Sequence, residues 1–255
     1  MIRKRIIPVL QLDGEKLVKT VLFKRKNYVG DPINAVRIFN DLEVDELIIL
    51  DISINYDIKE TLNFKFLKNL ASECFMPLSY GGGIKNIIDA EKIFKLGFEK
   101  IIVNTSVFEN NLLLEELINH FGSQSIVHSI DVKKNFFNNY NIYIKNGEKK
   151  LKIDLFEWLK KVEDLGVGEL IITNISKEGT WSGYDNNLIE SVSKCMSMPV
   201  IANGGCGSIE HIKEIFKNTK VSAAAAGSFF VYQKKGMGVL INYLNKHELK
   251  EVLFL

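Results

Sequence analysis

Eight short apolar runs punctuate the chain, at 5–10, 46–50, 77–80, 100–103, 126–130, 169–173, 200–202 and 221–226. Most are continuous rather than alternating, as strands covered on both faces require. Amphipathic stretches separate them. Asp31-Pro32 opens the first, with Asp as N-cap and Pro at the first helical position, and Ile33, Val36, Ile38, Phe39 and Leu42 follow as an apolar stripe. Similar stripes lie near 86–96, 109–119, 154–165, 186–195, 208–217 and 235–245. Leu96-Gly97 and Leu165-Gly166 read as helix stops. Strand-then-helix repeated eight times predicts an all-parallel α/β protein, and the 255 residues suit one (β/α)8 TIM barrel spanning 1–255. Residues 134–153 interrupt the rhythm. Asn146-Gly147 between Tyr/Ile-rich runs predicts a β-hairpin excursion above the barrel after the fifth strand.

The chain also resembles itself. Residues 46–53, ELIILDIS, parallel 169–176, ELIITNIS, at an offset of 169 − 46 = 123. Met76-Pro77 parallels Met198-Pro199, Gly81-Gly82 parallels Gly204-Gly205, Asn104-Thr105 parallels Gly227-Ser228, and Gln11 parallels Asp131, at offsets of 122, 123, 123 and 120. Matches in register, most of them at the carboxyl ends of strands, predict two (βα)4 half-barrels, about 1–123 and 124–255, facing each other across one mouth.

That mouth is where the chemistry is expected. The loops carrying Gly82 and Gly83, and Asn104 and Thr105, are duplicated by those carrying Gly204 and Gly205, and Gly227 and Ser228. Glycines let backbone N–H groups approach an anion, and hydroxyls add donors, so both halves are predicted to bind phosphate. Gln11 and Asp131 end opposite strands, where catalytic groups sit. Two carboxylates there would suit general acid/base work, but an amide exchanges no proton near neutral pH. Arg5, Glu46, Lys100 and Glu169 begin strands one, two, four and six and converge on the opposite opening. Their signs permit mutual neutralisation in a ring, a stabilising cluster in its own right. The segment 12–30 holds Lys16, Lys19, Lys24, Arg25 and Lys26 and reads as a flexible loop, either folding onto an anionic substrate or simply solvated. The histidines at 120, 128, 211 and 247 share no ligand spacing, and His211 and His247 read as helix-surface residues.

Composition narrows the partners. The hydrophobic fraction is 46% and the charged fraction 25%, enough for a large core, and a net charge of +2 from 33 basic and 31 acidic residues gives no reason to expect nucleic acid. Cys74, Cys195 and Cys206 lack metal-ligand spacing, so neither a metal site nor a disulfide framework is expected, and no cofactor either. No apolar run reaches the roughly 18 residues of a membrane span, and the first apolar stretch is too short for a signal sequence. A cytoplasmic protein is expected.

From about Arg3 to Lys246 the chain resembles the cyclase subunit of imidazole glycerol phosphate synthase, in the histidine-biosynthesis barrel group. The carriers are KRIIPVLQLDG, GDPINA, DELIILDI, YGGGI, KIIVNTS, FGSQSIVHSID, GVGELIITNISKEGTWSGYD, MPVIANGGCG and AAAAGSFF. The resemblance implies a barrel that receives ammonia from a separate glutaminase subunit docked at its bottom face and passes it to a bisphosphate substrate at the top. It implies a charged gate at Arg5, Glu46, Lys100 and Glu169, and phosphate binding at Gly82, Asn104 and Thr105 on one side and Gly179, Gly205, Gly227 and Ser228 on the other. Lys19 matches the mobile-loop lysine and Asp131 one catalytic aspartate. The other catalytic aspartate falls on Gln11, while Ser176 and Glu178 stand where the family has acidic residues. A retained gate beside an altered catalytic pair points to a paralogue that delivers ammonia to a different acceptor, such as an acetamido sugar of a surface glycan, alongside an ATP-using amidotransferase. A genuine cyclase and a non-catalytic scaffold binding a phosphorylated metabolite remain the alternatives.

Overall fold

The continuous apolar runs become parallel strands closed on themselves, so that neither face of the sheet meets solvent. The computed structural model describes residues 4–53 and 62–231. Its barrel strands are β1 (Arg5–Asp13), β2 (Leu47–Asp51), β3 (Leu78–Gly81), β4 (Lys100–Val103), β5 (Ile126–Lys134), β6 (Glu169–Asn174), β7 (Val200–Asn203) and β8 (Ala223–Ala226). Each pairs in parallel with the next, and β8 closes on β1 with Arg5 opposite Ala223. Helices α1 (Pro32–Asp41), α2 (Phe64–Ser72), α3 (Ile87–Lys95), α4 (Leu113–Phe121), α5 (Leu155–Asp164), α6 (Asn186–Cys195) and α7 (Ile209–Asn218) lie between the strands. This is the predicted (β/α)8 barrel.

Local chemistry sets the boundaries. The Asp31 carboxylate accepts from the N–H groups of Ile33 and Asn34 at 2.7 and 3.1 Å, which caps α1 as expected. Three expectations need correction. Helix α2 was not among the predicted stripes; it is capped by Asn63 and buries Phe66, Leu67 and Leu70. The stripe at 109–119 shifts: a separate helical turn, Thr105–Glu109, ends where it was expected to begin, and α4 starts only at Leu113. The eighth strand starts at Ala223 rather than 221. The stripe at 235–245 and His247 fall outside the described residues.

Strands β1 and β5 both run nine residues, past the barrel rim, and both continue into antiparallel pairing. The segment Lys16–Lys19 folds back on β1 with Val18 opposite Gln11, and Asn27–Gly30 pairs with it in turn. The segment 12–30 is therefore built around a three-stranded meander rather than an unstructured loop, with Leu12, Leu17 and Val18 buried while Val21 and Tyr28 stay exposed. Tyr140–Ile144 folds back on β5 with Tyr143 opposite Asp131, and Lys149–Asp154 completes the predicted hairpin. Lys145 and Asn146 adopt φ of 52° and 54° at its tip, the positive values that tight hairpin turns need.

Alternate residues of the strands divide into two cores. Ile7, Val9, Ile48, Ile102, Val127, Ile171, Ile201, Ala223 and Ala225 fill the barrel interior. The opposite parity, such as Ile6, Leu10, Ile49 and Ile172, packs against the helices. His128 lies in this outer layer with no solvent exposure. Its Nδ1 bonds the Val103 carbonyl at 3.0 Å and its Nε2 accepts from the Trp158 indole N–H at 3.0 Å, which fixes a neutral ring protonated on Nδ1.

Burial lowers the His128 pKa from 6.5 to about 4. Its folded value lies below its unfolded one, so the unfolded chain takes up the proton first as pH falls. Stability should decline from about pH 6.5 down to about 4, with this ring accounting for about 3 kcal/mol of the loss. Urea midpoints across that window test the loss, and a His128 resonance titrating near 6.5 would refute the assignment.

Candidate functional site

The residues predicted at the strand beginnings meet at the barrel floor. Arg5 Nη1 lies 2.7 Å from Glu46 Oε2 and Arg5 Nη2 lies 2.9 Å from Glu169 Oε1. Lys100 Nζ lies 3.2 Å from both Glu46 Oε2 and Glu169 Oε2. The four side chains thus form a closed ring of alternating sign. Ser79, which sequence reasoning did not single out, donates its hydroxyl to Glu46 Oε1 at 2.8 Å and helps hold that buried carboxylate.

At the opposite end a single cavity collects the predicted mouth residues. Gln11, Lys19, Gly82, Gly83, Asn104 and Thr105 line it, together with Asp131, Gly179, Gly204, Gly205, Gly227 and Ser228. Two of the glycines are required by their surroundings. Gly82 has φ +124° and a Cβ there would lie 2.3 Å from the Asp51 carbonyl oxygen; Gly205 has φ +103° and its Cβ would lie 2.2 Å from the Gly183 carbonyl oxygen. They are 205 − 82 = 123 positions apart, the offset of the sequence repeat.

The two strand ends differ in chemistry. Asp131 on β5 is buried and accepts from the Asn104 amide at 2.7 Å. Burial pushes its carboxyl up to about 7, while hydrogen bonds from Asn104 and Thr173 pull the other way. Such a group both gives and takes protons at neutral pH. Gln11 on β1 is also buried, and its Oε1 accepts from Thr20 N at 3.0 Å and Lys19 Nζ at 3.3 Å, with the Thr20 hydroxyl oxygen 3.2 Å away. Its amide holds the meander in place and exchanges no proton.

Lys19 is turned inward and only 3% exposed. Its ammonium pairs with Glu178, and also donates to the Thr20 carbonyl at 3.0 Å. Burial lowers its pKa to about 7. Glu178 itself accepts from Thr20 Oγ1 at 3.1 Å and from the Phe23 N–H at 3.1 Å. Sequence reasoning noted Glu178 only through the resemblance, in the loop after β6 where the family has acidic residues; its place in the cavity follows from the meander, which the lysines scattered along 12–30 concealed. Asp51 was also missed as a cavity residue, although the repeat pairs it with Asn174. Asp51 Oδ1 accepts from Ser53 N at 2.9 Å, as Asn174 Oδ1 accepts from Ser176 N at 2.8 Å. Burial raises the Asp51 carboxyl against the hydrogen bonds from Ser53. His211 is not a simple surface residue: it is half-buried, and its Nδ1 accepts from the Gly207 N–H at 3.1 Å.

Comparison with known proteins agrees with this geometry. The histidine biosynthesis protein family matches residues 5–236. A Pseudomonas aeruginosa protein provisionally named imidazole glycerol phosphate synthase subunit hisF2 is 46% identical over 249 residues, covering 98% of this chain and 99% of that one. A Leptospira borgpetersenii protein provisionally named imidazole glycerol phosphate synthase subunit HisF is 44% identical over 255 residues and the full length of both. The imidazole glycerol phosphate synthase subunit HisF of Bacillus cereus is 40% identical over 238 residues, covering 93% of this chain and 94% of its own. The barrel fold and the full-length similarity agree, and the chain belongs to the histidine biosynthesis protein family, among the proteins resembling the imidazole glycerol phosphate synthase subunit HisF.

Proposed function

We propose that this HisF-like chain is the ammonia-accepting subunit of a cytoplasmic glutamine amidotransferase complex whose acceptor is not the usual cyclase substrate. A glutaminase subunit docks at the floor, ammonia passes the Arg5–Glu46–Lys100–Glu169 ring, and the mouth holds a phosphorylated small molecule or sugar. The acceptor we favour is an acetamido sugar converted to its acetamidino form for a surface glycan, with an ATP-using amidotransferase as third component. The observation that carries this reading is Gln11. It occupies the mouth end of β1 with its amide oxygen held by the Thr20 N–H and the Lys19 ammonium, opposite a proton-active Asp131. Losing one of two acid/base groups costs roughly 10²–10⁴-fold in rate, while the floor ring is complete. The numbered names hisF2 and hisF3 among the relatives above 40% identity lend further support. A genuine cyclase is the second reading, favoured by the gathering of the other predicted mouth residues around one cavity.

Three outcomes are expected. Supplied with ammonium salt and the cyclase substrate, the isolated chain should form imidazole product roughly 10²–10⁴-fold more slowly than a plainly named HisF; comparable rates would overturn the first reading in favour of the second. Lys100→Met leaves Glu46 and Glu169 to share Arg5, so in the reconstituted complex glutamine consumption should outrun amidinated product and free ammonia should accumulate. Unaltered stoichiometry would remove the gate from the proposal.

The third concerns Asp131. Its folded pKa of about 7 lies above its ordinary 3.8, so the folded protein keeps a proton that the unfolded chain loses, and folding is penalised increasingly as pH rises from 3.8 through 7. Asp131→Asn should therefore stabilise the fold above pH 7 by up to about 4 kcal/mol and give no such gain near pH 3.8, while abolishing proton transfer at the mouth. Denaturant melts at both pH values check the sign.

A further inference from the structure

Glu178 gathers more of the mouth than any predicted residue. Its carboxylate takes the Lys19 ammonium, the Thr20 hydroxyl and the Phe23 N–H, and its carbonyl oxygen accepts from the Leu22 N–H at 2.9 Å. The segment it fastens is strained: Leu22 and Phe23 adopt φ of 57° and 59°, uncommon for residues with bulky side chains. The same lysine also reaches the strand-eight cradle. A Cβ placed on Gly227 would lie 3.0 Å from Lys19 Cε and 3.5 Å from its Cδ. The last carbons of the lysine therefore lie over the backbone that, on the reading above, receives a phosphate beside Ser228. One ammonium serves two places: the Glu178 carboxylate and the mouth of the Gly227–Ser228 cradle. Gln11 contributes an amide oxygen at 3.3 Å and no charge, which leaves Glu178 as the carboxylate that neutralises the lysine.

We infer that Glu178 is a competitor built into the anion site: it holds Lys19 when no anion is bound and surrenders it to a ligand group carrying enough negative charge to take the lysine over. The group that meets this threshold is a dianion such as a phosphate monoester. A carboxylate or a phosphodiester carries a single charge and does no better than Glu178 itself. Glu178 keeps its hold on Leu22 and Phe23 through the carbonyl oxygen and Oε2 while the lysine changes partner, so the meander stays over the mouth during the exchange. The inference rests on the reading of Gly227 and Ser228 as an anion cradle.

The test is binding of sulfate, a dianion at all pH values near neutrality, and of acetate, a monoanion, to the full chain by calorimetry, with circular dichroism confirming the fold of each variant. Glu178→Gln keeps the shape and the Phe23 hydrogen bond and removes the competing charge. It should tighten sulfate roughly tenfold, about what one charge-assisted contact contributes, and tighten acetate by no larger a factor, since every anion that must take the lysine is released from the same competition. Lys19→Met should weaken sulfate, and adding Glu178→Gln to it should bring no gain. Glu178→Asp draws the carboxylate back by one methylene and should change sulfate affinity in the same direction by less, which serves if the amide variant folds poorly. Sulfate binding that is unchanged or weaker in the Glu178 variants overturns the inference and leaves the cradle standing. No saturable sulfate binding in either the native chain or the variants removes the cradle itself, and the inference with it.

Discussion

Successive side chains of a strand point to opposite faces, and in a closed barrel one of those faces is the interior. On β1 that parity puts Arg5 at the floor, Ile7 and Val9 in the middle and Gln11 at the mouth. On β6 it puts Glu169 at the floor, Ile171 in the middle and Thr173 at the mouth. Each strand thus delivers a charge, an apolar plug and a polar head in fixed order two residues apart. Floor and mouth are held apart by strand geometry, and neither can be moved without shifting the whole strand's register.

The buried polar heads need partners, since an unpaired polar group away from water costs on the order of 1–3 kcal/mol. Asp131 finds Asn104 and Thr173 on the neighbouring strands and in the β4 loop. Gln11 finds Thr20 and Lys19, which are present only because β1 runs on into its meander. The meander is therefore part of the chemistry at the mouth rather than an ornament on the rim. It also brings in Glu178, so that the strand end lacking a carboxylate of its own has one nearby, bound to a lysine.

Much of this is legible in the sequence. Continuous apolar runs gave the barrel, the 123-residue offset gave the equivalence of Gly82 and Gly205, and charges at strand beginnings gave the ring. Less legible were contacts made by chain that leaves the barrel and returns. Lys16, Lys24, Arg25 and Lys26 dress the segment 12–30 as a solvated loop, while Leu17, Val18 and Lys19 turn inward in a pattern four residues long, too short for periodicity to declare. Helix α2 was overlooked because its buried positions, Phe66, Leu67 and Leu70, make barely one repeat of a helical stripe. Glu178 was marked only by the resemblance and by nothing that named its partners: they lie about 155 to 159 positions away, and only the closing of β6 beside the meander brings them within reach.

The closed floor ring has an electrical consequence. Two positive and two negative charges alternating around a square make a quadrupole, whose potential falls off far faster with distance than that of a lone ion or of a dipole. A few ångströms above the plane, among Ile7, Ile48, Ile102 and Ile171, little standing potential remains to draw an ion inward or to detain one there. A cation placed in that apolar core would lose its hydration with nothing to replace it, whereas an uncharged group of the same size would lose far less. The ring is thus strongly polar to whatever touches it and nearly silent to whatever lies beyond.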